Sequence, residues 1–176
     1  TIEIKSKKSC GTTVTMTIPF KTGVQNLMQY TENVNTESTE DIPLEGLHAL
    51  IAEDNELNLE IAKLMLEETG ICVECAADGK EAVAKFEESE PGYYDAVLMD
   101  IQMPVMDGYT AAGKIRACGH PDAAVIPIAA MTANAFAEDV QNALSAGMDA
   151  HIAKPADPEI LRETLKKLEK ERRHEK

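Results

Sequence analysis

The sequence predicts an α/β domain, a parallel sheet with helices on both faces. Three observations predict it. From about residue 46 short apolar runs alternate with segments of helical period, and five such pairs follow one another. The runs are nearly continuous in apolar residues, as strands covered on both faces require. The composition, 44% hydrophobic and 27% charged over 176 residues, suits a packed core rather than a disordered chain.

The elements follow in order. Over residues 1–20, Val14, Met16 and Ile18 alternate with Thr13, Thr15 and Thr17, the period of a half-buried strand. Ile2 and Ile4 suggest a preceding strand, so this piece reads as a hairpin separated from its parent sheet. Residues 21–45 are polar and aperiodic and read as a linker. The main domain is expected over 46–172, with a tail at 173–176. Its first strand is Leu47–Ala52, and Leu57, Ile61, Leu64 and Met65 mark the helix that follows, closed by Gly70. Ile71–Ala76 is the second strand. Asp78 with Glu81 resembles a capping box, opening a helix whose inner face is Ala82, Val83 and Phe86. Ala96–Met99 is the third strand, followed by a loop and a short helix from about Tyr109. Val125–Ala130 is the fourth, although Pro127 inside it cannot donate to a ladder. Phe136, Val140, Ala143 and Leu144 give the next helix, and Ala150–Ala153 the fifth strand. Asp157 as cap and Pro158 at the first helical position open a last helix, with Leu161, Leu165 and Leu168 inward.

Composition also excludes function classes. The formal net charge of −14 speaks against nucleic-acid binding, which needs a basic footprint. No apolar run approaches the roughly 18 residues of a membrane span, so no membrane contact is expected of this chain. Four cysteines make no disulfide framework and fit a reducing, cytoplasmic setting. Beginning at Thr1 without a signal-peptide core, the chain reads as a fragment of a longer protein.

Open parallel sheets gather ligands at the carboxyl ends of their strands. Glu53 and Asp54 follow the first strand, Asp100 the third, Thr132 the fourth and Lys154 the fifth. One such residue would be an ordinary polar strand end. All of them in register make a site whose carboxylates outnumber its ammonium, and an oxygen-seeking divalent cation would offset that charge.

The residues that make this site carry a resemblance. IAEDN at 51–55, LMDIQMPVMDG at 98–108, AMTA at 130–133 and AKP at 153–155 together resemble the receiver domain of two-component response regulators, over about residues 46–170. The resemblance implies a flavodoxin-like sheet of strand order 2-1-3-4-5 and transfer of a phosphoryl group from a kinase phosphohistidine to an aspartate. On this sequence Asp100 would be the acceptor, while Glu53, Asp54, Asp100 and the backbone carbonyl of Gln102 would hold Mg²⁺. Thr132 and Lys154 would contact phosphoryl oxygens, and the Lys154–Pro155 bond would be cis. The chemistry agrees, since a carboxylate can act as covalent nucleophile toward phosphorus, and the rest is positioning and charge stabilisation. The switch position, usually Tyr or Phe in the family, is His151 here, a smaller side chain whose charge can change near neutral pH.

Residues 1–20 resemble the last hairpin of a histidine-kinase ATP-binding domain, with SCGTT at 9–13 where that family has Gly-x-Gly-Thr. Hairpin, linker and receiver in this order imply a hybrid sensor kinase. The implied partners are the histidine kinase core of the same protein and a histidine phosphotransfer protein, with no nucleic acid.

Two other classes are weighed. A docking module that is never phosphorylated would not need the acidic triad with Thr132 and Lys154. An aspartyl phosphatase of the dehalogenase type wants Asp-x-Asp, and Asp100-Ile-Gln102 lacks the second carboxylate. Cys72 and Cys75 have metal-ligand spacing, but on a strand they face opposite ways with no second pair, so buried thiols are expected. His48, His120 and His174 read as surface or structural residues, and Met99, Met103, Met106 and Met131 as packing around the acidic edge.

Overall fold

The computed structural model describes residues 2–7, 11–16, 43–133, 137–154 and 157–174. The chain divides into two compact units, Thr1–Glu40 and Asp41–Lys176.

In the first unit, β1 (Ile2–Lys7) pairs antiparallel with β2 (Gly11–Met16), with Ile4 opposite Val14. The expected hairpin is therefore present, and Ile2 on it is exposed. The readings placed on Thr17, Ile18 and residues 21–42 fall outside the described residues.

The second unit carries β3 (His48–Ala52), α1 (Glu56–Glu67), β4 (Cys72–Ala76), α2 (Gly79–Glu88), β5 (Ala96–Asp100), α3 (Gly108–Ala117), β6 (Ile128–Thr132), α4 (Ala137–Ser145), β7 (Ala150–Ala153) and α5 (Pro158–His174). Its five strands are parallel in the order β4-β3-β5-β6-β7, which is 2-1-3-4-5 counted within this sheet. Alternation along each strand sends neighbouring side chains to opposite faces. Leu50, Val97, Met99 and Ile128 therefore pack with Val83, Phe86 and Ile115 of α2 and α3. Ile51, Leu98, Ala129 and Ile152 pack with Leu66 of α1 and Leu161, Leu165 and Leu168 of α5. Leu44 joins that second core, so the packed body reaches back into the stretch read as linker.

Local chemistry explains the starts of the helices. Asn55, Asp78, Asp107 and Asp157 each accept backbone N–H bonds from the first turn of the following helix. Glu81 reaches back to the Ala77 N–H, completing the capping arrangement expected with Asp78. Gly70 closes α1 at φ +85, the left-handed conformation expected of a terminating glycine.

In two helices the apolar repeat does not mark the buried side, and two expectations, on the fourth strand and on the cysteines, need correction. In α1 the buried residues are Ala62 and Leu66, whereas Leu57, Ile61 and Leu64 are exposed at 65%, 43% and 54%. The helix is apolar on more than one side, and the tighter approach to the sheet takes the side with alanine. β6 begins at Ile128 and not at Val125, so Pro127 precedes the strand and offers only its carbonyl, to Val97 N–H. Cys72 is exposed and Cys75 half-buried, because β4 is an edge strand. Leu144 of α4 is half-exposed and only Ala143 of its predicted face is buried, while Phe136 lies outside the described residues.

Val105, in the loop after β5, has φ 66, a left-handed conformation that crowds a β-branched side chain, and it is exposed. Relief of about 1–2 kcal/mol of strain, less the entropy that glycine loses on folding, predicts that Val105→Gly stabilises the unit by about 0.5–1 kcal/mol in urea titration. A loss of stability would mean that the loop is not strained.

Candidate functional site

The strand order brings β3, β5, β6 and β7 side by side, so residues at their carboxyl ends meet along one edge. Asp100 and Thr132 prove to be the last residues of β5 and β6, rather than lying just past them. Both are buried, as is Glu53, which immediately follows β3. Asp54 is exposed and opens the cluster to solvent.

Backbone bonds fix these positions. Glu53 N–H donates to the Ala76 carbonyl at 3.1 Å, Ile101 N–H to Met131 at 3.1 Å, and Lys154 N–H to Thr132 at 2.7 Å. Glycine at 108 allows a close approach: a Cβ there would lie 2.2 Å from the carbonyl oxygen of Asp100. The amino end of α3 is thereby seated directly against the backbone of Asp100, and Gly108 N–H donates to Ile101 at 3.0 Å.

Glu53, Asp54 and Asp100 each offer a carboxylate oxygen, all within 4.8 Å of one another. Lys154 Nζ bonds to Glu53 Oε2 and stands 2.7 Å from Asp100 Oδ2. Gln102 N–H donates to Asp100 Oδ1 at 3.2 Å, while the Gln102 side chain is exposed. Burial raises the Asp100 carboxyl above its ordinary pKa; Lys154 and the Gln102 N–H oppose this, and the Glu53 charge adds to it. Three hard oxygen donors, two buried and one open to solvent, fit a divalent cation of the magnesium class.

The predicted site residues Glu53, Asp54, Asp100 and Lys154 thus form one cluster, and Thr132 is tied to it through the Lys154 backbone. His151 is half-buried in β7 with its Cα level with Ala130, two strand positions back from the Thr132–Ala153 edge. Pro155, and with it the conformation of its peptide bond, lies outside the described residues. Met99 and Met103 belong to one core face and Met131 to the other, so the methionines divide between the faces. His120 is buried against Phe86 and Ser89, a structural role as expected. Asn58, whose Nδ2 donates to Glu53 Oε1 at 3.0 Å, lies outside the motifs read from the sequence, whereas Gly108 ends one of them without a role assigned to it there. An amide side chain in the first turn of the helix, just after the acidic pair, was the available signal.

The family model described as the response regulator receiver domain matches residues 49–166. The chain belongs to the response regulator receiver family. Among proteins similar to this receiver is hybrid signal transduction histidine kinase L of Dictyostelium discoideum, 35% identical over 158 residues, 87% of this chain but 9% of that protein. The chain spans between 7% and 20% of the length of the curated kinases it matches. Among solved structures, the receiver domain of sensor histidine kinase PA1611 from Pseudomonas aeruginosa, with magnesium in its active-site cleft, is 40% identical at TM-score 0.63, covering 70% of this chain and 97% of that one. The receiver domain of Ssk1, co-crystallised with the histidine phosphotransfer protein Ypd1 of Saccharomyces cerevisiae, is 28% identical at TM-score 0.61, covering 69% of this chain and 88% of that one. No helix among the described residues is long and apolar enough to cross a membrane.

Proposed function

We propose that Asp100 accepts a phosphoryl group from a kinase phosphohistidine and passes it to a histidine phosphotransfer protein. The observation that carries this reading is a buried carboxylate held at a strand end between the ammonium of Lys154 and two further carboxylates. In the forward step an Asp100 oxygen forms a bond to phosphorus as the phosphorus–nitrogen bond breaks, and the departing imidazole keeps a proton. Lys154, paired with Asp100 and Glu53 at rest, turns its charge to the phosphoryl oxygens. The Thr132 hydroxyl contacts another of these oxygens. His151 turns toward the space that Thr132 leaves, so occupancy is read out on the β6–β7 side. Onward transfer reverses these bonds onto a second histidine. A magnesium ion, for which Glu53, Asp54, Asp100 and the Gln102 carbonyl are the assigned ligands, would neutralise charge between Asp100 and the incoming anion.

The parent is, in the same proposal, a cytoplasm-facing hybrid histidine kinase, with β1 and β2 the end of its ATP-binding domain. The similarity to a hybrid histidine kinase supports such a parent. The test is intact mass after incubation with Mg²⁺ and acetyl phosphate. One added phosphate is expected, absent when Mg²⁺ is withheld. A protein that stays unmodified would favour a docking module that is never phosphorylated.

The exposed row Leu57, Ile61 and Leu64 lies on one face of α1, whose first turn follows Glu53 and Asp54. An apolar row beside a charged site suits a partner surface, and the Ssk1–Ypd1 complex supports a phosphotransfer protein as that partner. Leu57→Ser with Ile61→Ser should slow transfer from a phosphorylated phosphotransfer protein about tenfold or more. Labelling by acetyl phosphate, which needs no docking, should not change. Equal losses with both donors would place the defect in the site itself.

A further inference from the structure

Both carboxylate oxygens of the buried Glu53 are engaged, Oε2 by Lys154 and Oε1 by the Nδ2 of Asn58 at 3.0 Å. The Asn58 side chain has no duty in starting its helix. The cap is made by Asn55 Oδ1, which accepts the Asn58 backbone N–H at 3.1 Å, whatever side chain residue 58 carries. Asn58 is exposed, and asparagine inside a helix is less favourable than alanine. Glutamate has three side-chain torsions, so a carboxylate anchored only by Lys154 would keep rotational freedom at its other oxygen. The Asn58 bond removes that freedom and divides the two Glu53 oxygens between a cation and a neutral donor.

We propose that Asn58 is a positioning residue. Its carboxamide holds Glu53 Oε1 so that the carboxylate stays oriented toward Asp54 and Asp100, and this sets the site's affinity for a divalent cation. The inference rests on the metal reading given above, and it assigns Asn58 no contact with the ion. Groups that orient metal ligands through hydrogen bonds commonly change affinity by about 10–100-fold when removed. An exposed donor belongs at the low end of that range.

The test is calorimetric titration of the full chain with MgCl₂, with metal-free melting measured alongside. Asn58→Ala should weaken Mg²⁺ binding about tenfold while the metal-free melting temperature stays level or rises. In a Glu53→Asp background the shorter carboxylate cannot reach residue 58. There the same Asn58→Ala change should alter affinity by less than about twofold, the signature of coupling through Glu53. Unchanged Mg²⁺ affinity in Asn58→Ala would overturn the inference, as would equal losses in both backgrounds. Failure of the wild-type chain to bind Mg²⁺ would instead overturn the metal reading on which the inference stands.

Discussion

Without metal, Asp100→Asn should melt above the wild-type protein, and with Mg²⁺ and acetyl phosphate it should remain unlabelled. The buried Asp100 carboxyl is held above its ordinary pKa by desolvation and by the Glu53 charge, despite Lys154 and the Gln102 N–H. Ionising it in the fold is therefore less favourable than in the unfolded chain. A group raised in this way contributes stability below its unfolded pKa of about 4, and that contribution is lost as pH rises through the folded value. The two proteins should have similar stability in acid and diverge as pH rises, with Asp100→Asn ahead by about 1 kcal/mol near neutrality, in the usual range for relieving a strained site. For a unit of this size that is a shift of about 3–6 °C. Mg²⁺ should reverse the ranking, because a ligand at a hundred times its Kd stabilises the native state by about 2.7 kcal/mol, and the substituted site lacks one of its charges. Thermal melts across pH, with and without Mg²⁺, check this. A metal-free Asp100→Asn protein melting below wild type would mean that the Lys154 ion pair outweighs desolvation and repulsion.

The second large effect is expected at Gly108. Its missing side chain lets α3 rest on the backbone of Asp100, where a Cβ would come within 2.2 Å of the carbonyl oxygen and 3.0 Å of Ile101 Cα. Neither neighbour is a flexible side chain, so the helix start or the strand end must move. Gly108→Ala should therefore cost about 2–3 kcal/mol, as overpacking against a fixed backbone does. It should also slow phosphorylation, because the displaced residue is the proposed acceptor. Gly113 in the same helix is the control: nothing lies within 4 Å of the Cβ it would gain. Gly113→Ala should stabilise by about 0.5–1 kcal/mol through helix propensity and leave labelling unchanged. Opposite signs within one helix would establish that the contact with Asp100 is the cause. Equal and small effects would contradict it.

The fold was legible because its signals are local and redundant. Apolar runs such as Leu98–Met99 and Ala129–Met131, caps such as Asp78 and Asp157, and Gly70 all act within a few residues of themselves. The site was legible for a related reason: in a parallel sheet, strand ends are countable from the sequence, and Glu53, Asp100, Thr132 and Lys154 all stand at them. What the sequence did not reveal depends on a third dimension. α1 carries Leu57, Ile61 and Leu64 on one side and Ala62 and Leu66 on another, and periodicity finds the helix without choosing the side that meets the sheet. The side bearing Ala62 and Leu66 is the one that packs on β3 and β4, which only the assembled layers define. Cys72 looked buried because its strand is apolar, yet it sits at the start of an edge strand. Asn58 reaches Glu53 through a side-chain bond that no spacing rule anticipates.

The central claim is that the carboxylate of Asp100 becomes an acyl phosphate. An acyl phosphate is reduced by borohydride to an alcohol, so an aspartyl phosphate leaves homoserine at the residue that carried it, whereas phosphohistidine and phosphoserine do not. The direct measurement is peptide mapping of the chain after treatment with Mg²⁺ and acetyl phosphate, then borohydride. Homoserine at position 100, and at no other aspartate, is the predicted result. Homoserine at Asp54 or elsewhere with Asp100 intact would contradict the account.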